Sequence, residues 1–394
     1  MDWKNAHLQD DGSVKVPESW LHLHYYEALN ILFRFENSLR VFVYVILKNE
    51  LQDKWNEASF TSNGDQKTIK NMASKRIKQA ESFGYLGFEV KAPLMHLTSG
   101  ELVEIITADA YWKIFNCYFK GNKEIIKNKL LEIGTVRNSL AHFRPIKPED
   151  IELIKQNSRH TLMGVEECLN NIYSFSARVP TNTEDAWYKS IESIGNEFVS
   201  LTPHYSKNEK YVNIKLAFKS PQLDKNELMT SFYSFKLGKI NPANIFLFDA
   251  NIAKSMIYAV EYVNQPVVTE GFDLEVTTTI SLVFFKERLE SDFKEISDSL
   301  RSICSKILNE SNLLLQDHLA RGEMVEPINA SIWVSGDGDQ AKWNYTYNEL
   351  WQEYEPDHPV EYWGRDQFGL NDVVASIRQF PWMPSDISKR PSFF

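Results

Sequence analysis

The chain has 394 residues, of which 43% are hydrophobic, 13% aromatic and 24% charged. That length and apolar content suit two packed domains and exclude a disordered chain. A net charge of −10 and a pI near 5.5 exclude a protein whose main task is a strong, non-specific grip on long nucleic acid, although local basic patches still allow a transient RNA contact.

Three cysteines, Cys117, Cys168 and Cys304, are scattered along the chain and stand at neither metal-ligand nor redox spacing. They fit a reducing compartment without a disulfide framework. The polar N-terminus lacks a signal-peptide pattern. The longest uninterrupted apolar run, Val41 to Leu47, is too short to cross a bilayer. The expectation is a soluble cytoplasmic protein with no membrane partner.

The first half reads as helical throughout. Apolar residues recur at helical spacing from about Leu21 to Lys48, and after Arg40 they surround the helix, as in a central helix or a subunit interface. Asn63-Gly64-Asp65 signals a turn. A basic helix is expected from about Gln66 to Ser82, and Gly84, Gly87 and Pro93 mark a loop. Ser99 is a candidate N-cap for a helix to about Tyr118. The next helix runs from Glu124 to about Phe143 and ends before Pro145. The last starts at Pro148-Glu149-Asp150 and reaches about Phe175.

Residues 178–185 look like a linker. A helix is expected over about Ala186 to Leu201, followed by strands. Strict alternation in Val212-x-Ile214-x-Leu216-x-Phe218, in Leu274 to Phe284 and in Ile328 to Val334 predicts sheet with one buried face. A long helix, about Phe285 to Ala320, separates the last two. The expected fold is therefore multidomain. An N-terminal all-α bundle spans residues 1–177, and a C-terminal α+β domain with a mainly antiparallel sheet spans residues 186–394. Trp333, Trp343, Trp351, Trp363 and Trp382 crowd the C-terminal end, as a packed extension or as a stacking surface for a nucleobase.

Chemistry gathers around Arg137-Asn138-Ser139-Leu140-Ala141-His142. Asn138 and His142, four apart, project from nearly one helix face, and Arg137 stands about 100° from Asn138. His142 lies in the last turn, where the negative end of the helix dipole favours positive charge. This set suits RNA cleavage in which a 2′-hydroxyl attacks the adjacent phosphorus. A histidine moves protons, an arginine fork holds the phosphorane oxygens, and an asparagine orients either one. Spacing alone equally allows a surface arginine and a capping histidine.

The string Arg137-Asn138-x-x-Ala141-His142, set in a helical half, resembles the signature of the HEPN superfamily. The first helix, with Glu36-Asn37-Ser38-Leu39-Arg40 before a strongly apolar turn, is similar to that of its abortive-infection branch. The resemblance covers roughly residues 20 to 176. It implies a helical bundle and an endoribonuclease that needs no metal or cofactor. The products would be 2′,3′-cyclic phosphate and 5′-hydroxyl ends on RNA, tRNA being one candidate. It also implies a homodimer with a composite site, in anti-phage defence or as a toxin, with a phage-derived trigger or an inhibitor as partner. Carried over as catalytic are Arg137, Asn138 and His142. Glu36 is either a further residue of the site or an i,i+4 partner of Arg40. Arg144, Arg40 and Lys129 are candidate RNA contacts. Arg144 could equally be solvated at the helix end.

Lys67, Lys70, Lys75, Arg76 and Lys78, with Lys120, Lys123, Lys127 and Lys129, form either a local RNA patch or a solvated helix face. His22 and His24 read as cap or core histidines. Asp337-Gly338-Asp339 faintly resembles a calcium loop but lacks its closing Glu. There is no Walker A, His-Glu-x-x-His, Cys-x-x-Cys or nucleophile elbow. The resemblance leaves open a non-catalytic HEPN nucleotide-binding or scaffold module. A pure interaction protein is a third class.

Overall fold

A computed structural model of the chain describes residues 7–11, 14–15, 23–62, 64–84, 92–179, 184–229, 231–264, 266–335, 342–347 and 359–366. His22, Asp337-Gly338-Asp339, Trp351 and Trp382 lie outside the described residues, as does the side chain of His24. The chain divides into two compact units at Asn170–Asn171. Among the described residues no helix is long and apolar enough to cross a membrane.

In the first unit, strands β1 (His7–Leu8) and β2 (Val14–Lys15) pair antiparallel. Helix α1 (Leu23–Leu51) follows. Residues 37–48 are all buried, as a stretch apolar around its whole circumference requires. Phe42 sits among the rings of Phe115, Tyr118 and Phe119 at 5.5, 5.1 and 5.9 Å, an edge-on aromatic centre for this unit.

The expected all-α bundle is overturned here. Strands β3 (Ser59–Ser62) and β4 (Asp65–Thr68) form a hairpin with Ser62 opposite Asp65, so the loop is only two residues long. Asn-Gly is the strongest short-range hairpin signal, because both loop positions favour positive φ, and Gly64 has φ +82°. The first unit thus carries two hairpins, and the chain as a whole mixes helix and sheet. The hairpin also displaces the basic helix: α2 (Ile69–Ser82) starts at Ile69, capped by the Thr68 hydroxyl, which accepts from the Asn71 amide at 3.2 Å.

Helices α3 (Ser99–Thr107) and α4 (Asp109–Phe115) replace the single stretch expected over 99–118. Their break is Ala108, in extended conformation. The N-cap of α3 is Thr98, not Ser99. Thr98 and Glu101 form a reciprocal capping box, leaving Ser99 free to point elsewhere. Helices α5 (Lys123–Ala141) and α6 (Pro148–Tyr173) complete the unit.

Arg76 of α2 reaches Glu101 of α3 through two bonds, Nη1 to Oε2 at 2.6 Å and Nη2 to Oε1 at 2.8 Å. Burial alone would raise the Glu101 pKa, but hydrogen bonds from Arg76 and Thr98 outweigh it and hold the carboxyl below the usual glutamate range. A depressed pKa stabilises the fold above the unfolded-state value, about 4.3, and that stability disappears as pH falls through the folded-state value. Arg76→Gln is expected to cost about 1–2 kcal/mol at neutral pH, discounted because Arg76 is partly solvated. Urea unfolding of both proteins from neutral to acidic pH should show a gap that narrows as pH falls below the ordinary glutamate value, about 4.3; a gap independent of pH would rule the linkage out.

In the second unit, strand β5 (Ala177–Arg178) leads in, so Arg178 belongs to a sheet rather than to a linker. After it come α7 (Ala186–Glu192), β6 (Val199–Tyr205), β7 (Tyr211–Lys219), β8 (Gln222–Met229), β9 (Phe232–Ile240), α8 (Ala243–Phe248), α9 (Ala250–Ser255) and β10 (Met256–Val263). Then follow β11 (Val267–Val268), β12 (Leu274–Glu275), β13 (Thr277–Phe285), α10 (Lys286–Ser291), α11 (Phe293–Gln316), β14 (Val325–Ser335), β15 (Lys342–Tyr347) and β16 (Tyr362–Asp366). A six-stranded sheet has the order β16-β10-β13-β7-β6-β5 and is antiparallel except for β10 and β16. A four-stranded antiparallel sheet has the order β15-β14-β9-β8.

One face of the larger sheet is its core. Val212, Ile214, Leu216 and Phe218 of β7, with Ile280, Leu282 and Phe284 of β13, pack with Ile296, Leu300, Ile303 and Ile307 of α11. Buried Glu310 of α11 accepts from the backbone amides of Glu323, Met324 and Val325 at 3.1, 2.7 and 2.9 Å, pinning the entry to β14. A Cβ on Gly322 would meet the Glu310 carboxylate at 2.2 Å, which is why this turn needs glycine. Cys168 and Cys304 are buried and Cys117 is exposed, and none of the three forms a disulfide. Burial pushes the Cys304 thiol up to about 12.

Candidate functional site

Helix α5 carries the motif and shows why its residues separate. Ile126, Leu130, Ile133, Val136 and Leu140 form the buried stripe, packed toward α1 and α3. Leu131, Thr135, Asn138 and His142 fall on the opposite, exposed stripe, at spacings of four, three and four. Arg137 projects from the side of the buried stripe, about 140° round the helix from His142, with its side chain 37% exposed.

The helix ends in a Schellman motif. The Phe143 amide donates to the Leu140 carbonyl at 3.0 Å and the Arg144 amide to the Ser139 carbonyl at 2.8 Å. Phe143 occupies the left-handed position with φ +54°, where glycine is the usual residue. Its ring is 87% exposed, so packing does not repay the strain. The Tyr25 hydroxyl of α1 donates to the Arg144 carbonyl and ties this turn down. His142 is thus the C-cap, exposed, followed at once by a projecting aromatic ring and by Arg144.

Behind the motif stands a carboxylate between two guanidiniums. Glu36 of α1 accepts from Arg137 Nε at 3.1 Å and from Arg40 Nη2 at 3.1 Å, and also from the Ser99 hydroxyl. Arg40 is only 9% exposed. Its other bonds go to Asn37 Oδ1 at 2.9 Å and to the carbonyls of Leu94 and Leu97 at 3.2 and 3.3 Å. Burial lowers the Arg40 pKa, Glu36 opposes this, and Arg137 lowers it further. Glu36 is thus the i,i+4 partner of Arg40 and also pairs with Arg137. Because Glu36 takes only Nε, the terminal nitrogens of Arg137 have no partner among the described residues.

The candidate RNA contacts do not gather in one place. Arg144 is exposed and its side chain pairs with no acid among the described residues. Arg40 is internal and faces protein acceptors. Lys129 lies eight and thirteen residues before Arg137 and His142, about 12 and 20 Å along the helix, and its bearing is about 140° from that of His142. Among the other basic residues, Arg76 pairs with Glu101, Lys67 with Asp65, Lys123 with Asp109 and Lys127 with Glu104. No group of three His, Cys, Asp or Glu side chains placed to hold a metal ion occurs among the described residues.

Neither protein-family models, curated proteins nor solved structures give a match to this chain.

Ser99 and Phe143 escaped the sequence reading. Ser99 is the expected cap from sequence, although Thr98-x-x-Glu101 is the better capping-box signature and frees Ser99 for Glu36. Phe143 is the expected last helical residue, but it stands in the left-handed stop that precedes Pro145.

Proposed function

We propose that this protein is a HEPN-type endoribonuclease whose reacting groups are His142 and Arg137. The observation that carries the reading is the division of labour at Arg137. Glu36 fixes its Nε while leaving the terminal nitrogens for a phosphate. Asn138 and exposed His142 stand about 100° and 140° round the helix from Arg137, so its long side chain must reach round to meet them. In this reading the 2′-hydroxyl gives its proton to a histidine, the oxygen attacks phosphorus, and the 5′-oxygen leaves after protonation. The products are a 2′,3′-cyclic phosphate and a 5′-hydroxyl. Arg137 neutralises the phosphorane oxygens. Arg144 adds a second cation beside the histidine.

One histidine per chain must otherwise serve as base and acid in turn. A homodimer with the two α5 stripes face to face supplies two histidines to one groove. Exposed Leu131, and the open space at the Cβ position of Gly134, support close approach of such a stripe. A role in anti-phage defence or as a toxin, with tRNA as one substrate and a phage-derived trigger or inhibitor as partner, belongs to the same proposal. The alternative is a non-catalytic HEPN nucleotide-binding or scaffold module. The deciding experiment is incubation of the purified protein with total RNA and with tRNA in EDTA, with 3′-end analysis, before and after phage infection of producing cells. Cleavage leaving cyclic phosphates supports the enzyme, and intact RNA under every condition sinks it.

The strained ring of Phe143 is assigned to base stacking beside the scissile phosphate. Phe143→Gly should then stabilise the fold by about 1 kcal/mol through relief of the left-handed backbone, yet weaken cleavage about tenfold. Thermal unfolding and initial rates measured together check this. A rise in both would show that the ring has no part in binding.

A further inference from the structure

The second face of the six-stranded sheet holds a polar row. Strand register places Arg178, His204, Asn213, Val283 and Tyr258 on one rung across β5, β6, β7, β13 and β10. The next rung on that face is Thr202, Lys215, Ser281 and Val260. The one beyond is Ser200, Ala217, Thr279 and Tyr262, where the surface opens to solvent. Ser200, Thr202, Ala217, Thr279 and Ser281 are the small residues of this face, and half-buried Lys215 lies one rung from the recessed His204 and Asn213.

Two independent observations point to a missing ligand. The first is charge. The charges that act on His204 come from Lys215 and Arg178, both positive, and no carboxylate contributes. Neither Lys215 nor Arg178 pairs with an acid among the described residues, and on β5, β6, β7, β13 and β10 these rungs hold no Asp or Glu; the nearest by register is Asp366 of β16, beside Tyr262 at the far edge of the outermost rung. The second is an orphan polar atom. Asn213 is 3% exposed, and its Nδ2 donates to Ser281 Oγ at 3.1 Å, but its Oδ1 has no partner. A buried acceptor left unpaired costs about 1–3 kcal/mol, so such groups await a donor.

We infer that this face is a binding site for a small phosphate monoester that also carries a hydroxyl, of the nucleotide or sugar-phosphate kind. Arg178 and Lys215 match the two negative charges of the phosphate, the arginine through its fork and the lysine as a point charge. His204 Nδ1 faces the Thr202 carbonyl at 3.1 Å, which leaves Nε2 for the ligand. A ligand hydroxyl satisfies Asn213 Oδ1. The site lies wholly in the second unit and stands or falls independently of the ribonuclease reading.

Calorimetric titration of the full chain with AMP, inorganic phosphate and adenosine tests it. AMP and phosphate should bind saturably, AMP more tightly, while adenosine does not bind; added salt should weaken both. Lys215→Ala and Arg178→Ala, at solvent-accessible positions, should each weaken AMP about tenfold or more with unchanged thermal unfolding of the free protein. Phosphate binding without any preference for AMP would keep the anion site and remove the hydroxyl contact to Asn213. Absence of saturable binding by both phosphates at millimolar concentration, or undiminished binding by Lys215→Glu, would overturn the assignment.

Discussion

His142→Ala is expected to lower the rate of RNA cleavage by about 10²–10⁴-fold, the usual contribution of a positioned proton-transfer group. The substitution leaves the fold intact, because His142 is exposed and its cap bonds to Asn138 and Leu140 are made by its backbone. Stability should change by no more than about 0.5 kcal/mol. Arg137→Ala should cost about 10²–10³-fold through lost charge stabilisation. Arg137→Lys keeps the charge but cannot hold Glu36 and phosphate at once, so it should recover little. Initial rates on a defined RNA, with circular dichroism of each variant, read these effects. Full activity in folded His142→Ala would remove the histidine from the chemistry and the ribonuclease assignment with it.

Glu36→Ala should cost about 3–5 kcal/mol of stability, the typical penalty for breaking a buried ion pair. The loss is set by what remains: an Arg40 guanidinium with 9% exposure, still bonded to neutral acceptors but without its counter-charge. Replacing both partners, as Glu36→Leu with Arg40→Met, should recover much of the loss, since apolar pairs of similar volume substitute for buried ions at little cost. Urea midpoints for the two single variants and the double variant give the coupling directly. A loss below about 1 kcal/mol for Glu36→Ala would place the carboxylate among ordinary surface pairs. The double variant also separates two roles. It restores the fold but not the grip on Arg137, so cleavage should stay depressed.

Long apolar patterns were legible in the sequence and short elements were not. The periodicity from Leu21 to Lys48 and the alternation at Val212 to Phe218 lie on α1 and β7, because each buries a face long enough to set a period. The hairpin at residues 59–68 was missed because four-residue strands are too short for alternation to show, leaving Asn63-Gly64 as the only cue. The helix expected over 186–201 stops at Glu192, since Trp187, Tyr188 and Ile191 meet the core while Val199 already pairs in β6. At the site, the separation of Asn138 from Arg137 follows from helix geometry alone. The partner of Arg137 does not: Glu36 lies 101 residues away, and an ion pair across that distance leaves no local trace.

The parallel pairing of β16 with β10 sets a clock on biosynthesis. Ala259 and Tyr362 are neighbours in the sheet but about a hundred residues apart in the chain. At ordinary synthesis speeds of about 5–20 residues per second, β10 waits about 5–20 s for its outer neighbour to be made. During that interval its outer edge presents unpaired backbone, beside Tyr258 and Ala259 that will later be buried, a template for pairing with another nascent chain. Slower translation downstream of β10 lengthens the exposure and chain termination before Tyr362 makes it permanent. Production yield should therefore fall sharply for truncations that remove β16, even those that leave every helix of the first unit in place.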